Sequence, residues 1–215
     1  MKKIFICLLV MFCTHLAQAQ SEKYIAAMKI NLSQIEKGYQ TPGLFLKLSD
    51  NFERIAKAEN NQWLPYYYSA LMLVNHSFTL KDFSTLDPVM DEATQLLNKA
   101  DSLQPQNSEI SCVRMMVATV QMLVDPQQRY MVYMPEIEKQ YLAAVQQDSS
   151  NPRPHYLKGE NIQNTPEQFG GGCEAAKAEL SLAREKFARF SPASPLMPNW
   201  GKERVDQLLA MCNEK

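Results

Sequence analysis

The strongest constraint on this chain is a spacing of small and bulky apolar residues that recurs along its length. Ala93, Leu97, Ala100 and Pro105 stand 4, 3 and 5 residues apart; Ile137, Tyr141, Ala144 and Ser149 repeat those intervals, and Ala176, Leu180 and Ala183 repeat the first two. Intervals of three and four put side chains on one face of an α-helix. Small residues on that face let a neighbouring helix approach closely, a larger Leu or Tyr fills the gap, and a proline beyond it closes the helix. Ala70 and Gly159 have the same character in the helices before, each three residues after a tyrosine, Tyr67 and Tyr156.

The same periodicity runs from residue 22 onward, with Gly and Pro falling between the periodic stretches. It predicts nine helices, over 22–36, 43–58, 64–80, 88–103, 108–124, 135–147, 153–163, 174–190 and 199–213. No stretch alternates apolar and polar residues as a half-buried strand would. An all-α fold follows: about four helix pairs and a C-terminal capping helix, the cap presenting Val205, Leu208, Leu209 and Cys212 on one face.

In these small-residue helix contacts and the proline after the second helix, residues 21–192 resemble the tetratricopeptide-repeat family, most clearly over 63–105. The resemblance implies a helix–turn–helix array, an α-solenoid whose stacked pairs share one core and leave a concave face for a partner. The repeat here is longer than the family's unit, because Ala100 and Ala144 lie 44 residues apart, and Ala144 and Ala183 lie 39. The excess falls between the helices of each pair, at 81–87, 125–134 and 164–173.

The first twenty residues are set apart from this pattern. Lys2 and Lys3, an apolar run from Ile4 to Cys13 and the small-x-small site Ala17-Gln18-Ala19 are the three parts of a secretory signal peptide. Residues 1–19 are thus expected to be removed and 20–215 to form one helical-repeat domain, periplasmic or secreted. Ten apolar residues are too few for the ~20 of a membrane span, and no later segment is long and apolar enough. Without Lys2 and Lys3, 20 basic residues face 23 acidic ones; that balance, with no basic run, excludes a phosphate track for nucleic acid. Hydrophobic content of 46% rules out a disordered chain.

Three cysteines remain after cleavage: Cys112, Cys173 and Cys212. An oxidising compartment permits one disulfide and one leftover thiol; the alternative is three small buried hydrophobes. The pair proposed for a bridge is Cys173 with Cys212, since Cys173 opens the last paired helix and Cys212 lies on the apolar face of the cap beside it.

Catalytic patterns are not recognised. His76 and His155 stand alone without H-E-x-x-H, there is no G-x-S-x-G elbow or P-loop, and no C-x-x-C. No catalytic, cofactor-binding or metal-binding residue is therefore assigned. Gly170, Gly171 and Gly172 before Cys173 could offer N–H groups to an anion and activate the thiol, or could simply turn the chain. A pairing of Cys112 or Cys173 with His155 also stays open. The sequence points to an exported scaffold that holds a protein or peptide on its concave face, through Tyr67, Tyr156 and Asn75 of the first helices. Tyr130 and Tyr133, in a long inter-helix loop, would add contacts. Of the consecutive Tyr66, Tyr67 and Tyr68, which with Trp63 form the densest aromatic patch, at least one is expected to face outward, because consecutive helical residues point about 100° apart. Two other readings remain: an envelope hydrolase using acidic residues or the Cys173 loop, and a structural subunit of an envelope complex.

Overall fold

A computed structural model describes residues 22–213; the signal-peptide segment lies outside them. The described residues form nine α-helices and no strand: α1 Glu22–Leu32, α2 Leu44–Ala58, α3 Trp63–Phe78, α4 Asp87–Leu103, α5 Ser108–Val124, α6 Pro126–Gln147, α7 Arg153–Asn164, α8 Cys173–Arg189 and α9 Lys202–Asn213. Short 3-10 turns, Ile35–Tyr39 and Glu167–Phe169, lie in the α1–α2 and α7–α8 connections. None of these helices is long and apolar enough to cross a membrane.

Successive helices pack antiparallel as pairs, and α3, α5 and α7 also pack side by side. They form an inner layer, with α2, α4, α6 and α8 outside. Layer membership is written in the burial patterns. The outer helices bury one stripe each: Met90, Ala93, Leu97 and Ala100 in α4; Ile137, Tyr141 and Ala144 in α6; Ala176, Leu180, Ala183 and Phe187 in α8. These are the small-residue positions read from the sequence. The inner helices α3 and α5 are buried nearly all round, so their sequences are apolar with little periodicity.

At Gly159 the spacing rule has a direct steric cause. A Cβ built there would stand 2.7 Å from the Leu180 side chain and 3.2 Å from its backbone nitrogen, so α7 and α8 reach their separation only because this residue has no side chain. Close approach at one face is what the 4–3 spacing selects for.

Two boundaries differ most from expectation. α6 starts at Pro126 and not at residue 135, and Pro135 lies inside it. Pro135 cannot donate to the carbonyl of Met131, but both residues are exposed, so that carbonyl is within reach of solvent. α1 ends at Leu32 rather than at residue 36. Its last turn is held by Asn31, whose amide donates to the Ala27 carbonyl while its side-chain oxygen receives Asn51 Nδ2 at 2.8 Å.

Cys173 and Cys212 form a disulfide, with Cα atoms 5.2 Å apart, that joins the start of α8 to the end of α9. Cys112 is a buried free thiol.

Candidate functional site

The concave face of the inner layer is the natural starting point. It is closed by the chain itself. After α8, residues 190–201 run back across the inner helices as a strap: Tyr68 Oη donates to the Leu196 carbonyl (2.9 Å), Arg153 Nη2 to the Pro198 carbonyl (2.8 Å), and Trp200 Nε1 to Tyr67 Oη (2.9 Å). Trp200 also meets the Tyr156 ring edge to face.

This corrects the placement of three residues. Tyr67 is 0% exposed, and Tyr156 and Asn75 are each 7% exposed, so none of them is a stripe on an open groove. Nor does any of Tyr66, Tyr67 and Tyr68 face outward. Each points in its own direction and meets a different neighbour: Tyr66 donates to Ala56 O of α2, Tyr67 to Glu109 of α5, and Tyr68 to the strap. A helix surrounded on all sides can bury three consecutive tyrosines. Burial pushes the Tyr67 hydroxyl far above the ordinary phenol range, and the nearby Glu109 carboxylate adds to it.

Beneath the strap lies a buried ion pair. Arg153 Nη1 donates to Glu109 Oε1 (2.9 Å), an oxygen that Asn151 Nδ2 also reaches at 2.9 Å. The guanidinium sits over the rings of Phe190 and Trp200, 4.7 and 5.1 Å from their centroids. Desolvation raises the Glu109 carboxyl above the usual range, and Arg153, Tyr67 and Asn151 draw it back. Shielded from solvent, this pair holds the strap in place, and of the Arg153 guanidinium only Nε is left buried without a hydrogen-bond partner.

Cysteine chemistry is equally closed. Cys173 is bonded to Cys212, which removes the reading of the glycine loop as a nucleophile site. Gly170 and Gly172 have φ of 82° and 91°, and Gly171 packs against the Thr165 carbonyl: the loop is a tight turn. Cys112 is fully buried with its thiol pushed up by desolvation. His155 pairs instead with Glu179, Nδ1 to Oε2 at 2.7 Å, beside Tyr141. No group of three or more His, Cys, Asp or Glu side chains among the described residues could hold a metal ion.

What remains open lies along one edge, where the long connections inside the helix pairs meet. Tyr130 and Tyr133 belong to the first turns of α6 rather than to a loop; Tyr130 is 41% exposed, and Tyr133 is half-buried against the core. Between them Met131 is 80% exposed, next to exposed Val132. Arg129 sets their position by a bidentate pair with Asp87 at the start of α4 (2.6 and 2.7 Å) and a bond to the Gln121 carbonyl. Arg129 holds the Asp87 carboxyl below its usual range. The pair draws α6 toward the end of α3 and the α3–α4 connection, which carry exposed Phe78 and Leu80 and partly buried Phe83. Exposed Phe169 lies on the α7–α8 connection at the same end. The edge is apolar and aromatic, and it carries the Tyr130 hydroxyl, the Met131 thioether and, in the last turn of α3, the half-buried His76 imidazole. Burial lowers the His76 pKa and favours its neutral form. Sequence reasoning passes over Phe78, Leu80, Met131, Val132 and Phe169. The available signal was the apolar run 130–134 inside an insertion, where a mere connection would be polar.

No family model matches the chain, and no curated protein matches it in sequence. A solved structure does: the HusA haemophore from Porphyromonas gingivalis is 30% identical, with a TM-score of 0.80, over 92% of this chain and 96% of that one. The match upholds the all-helical array without making it a tetratricopeptide-repeat protein. It also overturns the expectation of a protein or peptide partner, since the similar protein is a haemophore.

Proposed function

Because this chain belongs to the HusA haemophore family, we propose that it is an exported binding protein whose ligand is haem. The observation that carries the reading is similarity to a haemophore along almost the full length of both chains. The apolar edge supports it. A porphyrin is a flat apolar plate that gains roughly 25 cal/mol for each Å² removed from water. Phe78, Leu80, Tyr130, Met131 and Val132 are all exposed apolar side chains at this end of the array, where such a plate could bury them. Tyr130 supplies a ring and a phenol oxygen suited to ferric iron, Met131 a softer thioether ligand, and exposed Lys81 a cation for a propionate. Export follows from the signal-peptide pattern of residues 1–19.

Titrating haemin into the 20–215 protein tests this. A saturable change in the Soret band at stoichiometric ratio is expected, weakened about tenfold or more when Tyr130 and Met131 are both changed to Ala, which is a loss of ~1.4 kcal/mol or more. A haemin spectrum unaffected by the protein would refute the function. Unchanged affinity in the double variant would keep the function and move the site.

A further inference from the structure

We propose that a polar cleft on the edge opposite the apolar one is a binding site for an anionic saccharide. The cleft is enclosed by the α4–α5 and α6–α7 connections and by the first half of the strap, and its volume is about 690 Å³, within the range of small-molecule sites. Its lining differs in kind from the haem edge.

Side-chain amides of Gln104, Gln106, Asn107 and Gln147 and hydroxyls of Ser149 and Ser150 line it. Amides and hydroxyls both donate and accept, as do sugar hydroxyls. A porphyrin would leave these groups unpaired against its apolar face. Phe190 forms part of the wall and is held by the Arg153 guanidinium 4.7 Å from its centroid and by the Phe187 ring edge. A ring so fixed gives the C–H face of a pyranose a plate to stack on, and it loses little freedom on binding.

The floor is rigid. Ser108 donates to the Ala144 carbonyl at 2.8 Å and receives Asn151 Nδ2 at 2.9 Å, and Asn151 bridges on to Glu109. Charge sets the ligand's sign. Glu109 is neutralised by Arg153 (2.9 Å), and Asp148, whose Oδ1 is turned onto the backbone and hydroxyl of Ser150 within its own turn, stands against two cations. Lys186 and Arg189, on the last turns of α8, stand at the mouth. Lys186 reaches the Ser149 carbonyl, and Arg189 is paired with Glu185 in an exposed i,i+4 bridge of the kind that yields readily to a better anion.

The test is a titration of isotopically labelled 20–215 protein with oligogalacturonate, and separately with a maltooligosaccharide of equal length, followed by amide shifts and calorimetry. Shifts confined to 104–109, 147–151 and 186–193 are expected with the carboxylated chain. Its affinity should fall with salt and drop roughly tenfold in Arg189→Gln, the loss of one charge-assisted contact. Gln104→Ala, at an exposed position, should weaken it without shifting the melting temperature. Haemin affinity should be the same in all these proteins. Equal binding of the neutral chain, or no cleft shifts with oligogalacturonate, would overturn the proposal. So would haemin shifting the cleft amides.

Discussion

Tyr67 shows how one side chain is decided by its surroundings. Its ring is enclosed by Trp63, Tyr68 and the strap, and its hydroxyl receives Trp200 Nε1 while donating to Glu109. Tyr67→Ala is therefore expected to cost ~3–5 kcal/mol, as truncation of a buried aromatic does, read as a lowered denaturant midpoint with the haemin affinity of the remaining folded protein unchanged. Asp87 acts at the other end of the scale, in a partly exposed pair with Arg129. Its folded pKa lies below the ordinary value. The contribution is thus present at pH above the usual Asp range and is lost as pH falls through the depressed folded value. Asp87→Asn mimics that loss at neutral pH. Faster hydrogen exchange across 126–134, with little change in global melting, is the expected result; unchanged exchange would show that Arg129 holds α6 through the Gln121 carbonyl alone.

Helix contacts are where the sequence pattern acquires energy. Gly159→Ala would gain helix propensity of about 1 kcal/mol, yet its Cβ meets Leu180 at 2.7 Å with backbone close behind. Overpacking of this kind costs ~1–3 kcal/mol, so the net effect is destabilising. Ala100→Leu, at a fully buried stripe position of α4, carries the same expectation. Thermal melts of both variants check it, and a Gly159→Ala protein more stable than the parent would mean that α7 and α8 are not held at this distance. The one-sided helices were legible because burial on one face imposes a period. The start of α6 was not: Tyr130 to Met134 is an apolar run before an exposed proline, and helical continuation through Pro135 depends on the carbonyl it leaves without a donor lying at exposed Met131.

Across the whole molecule, the strap and the disulfide close the array. Cys173–Cys212 ties α9 to α8 across a separation of 39 residues, and a loop of that length is worth ~2–4 kcal/mol through the unfolded chain. Denatured, unreduced 20–215 protein should give one thiol, that of Cys112; three would remove the bridge. Replacing both bridged cysteines with Ser should lower the melting temperature and speed exchange in α9 and the strap before the inner layer. The sequence by itself determined the all-helical repeat, the small-residue contacts and the pair of cysteines at the last two helices, because each rests on local spacing or on neighbouring elements. It also flagged Tyr130 and Tyr133. Only the tertiary structure decided that the concave face is filled, since the bonds of Trp200 to Tyr67 and Leu196 to Tyr68 join residues 133 and 128 apart. No periodicity within a helix reports a partner so distant in the chain. Exposure of the inner tyrosines was thus invisible in their own helices, being set by a segment folded over them from the far end of the chain.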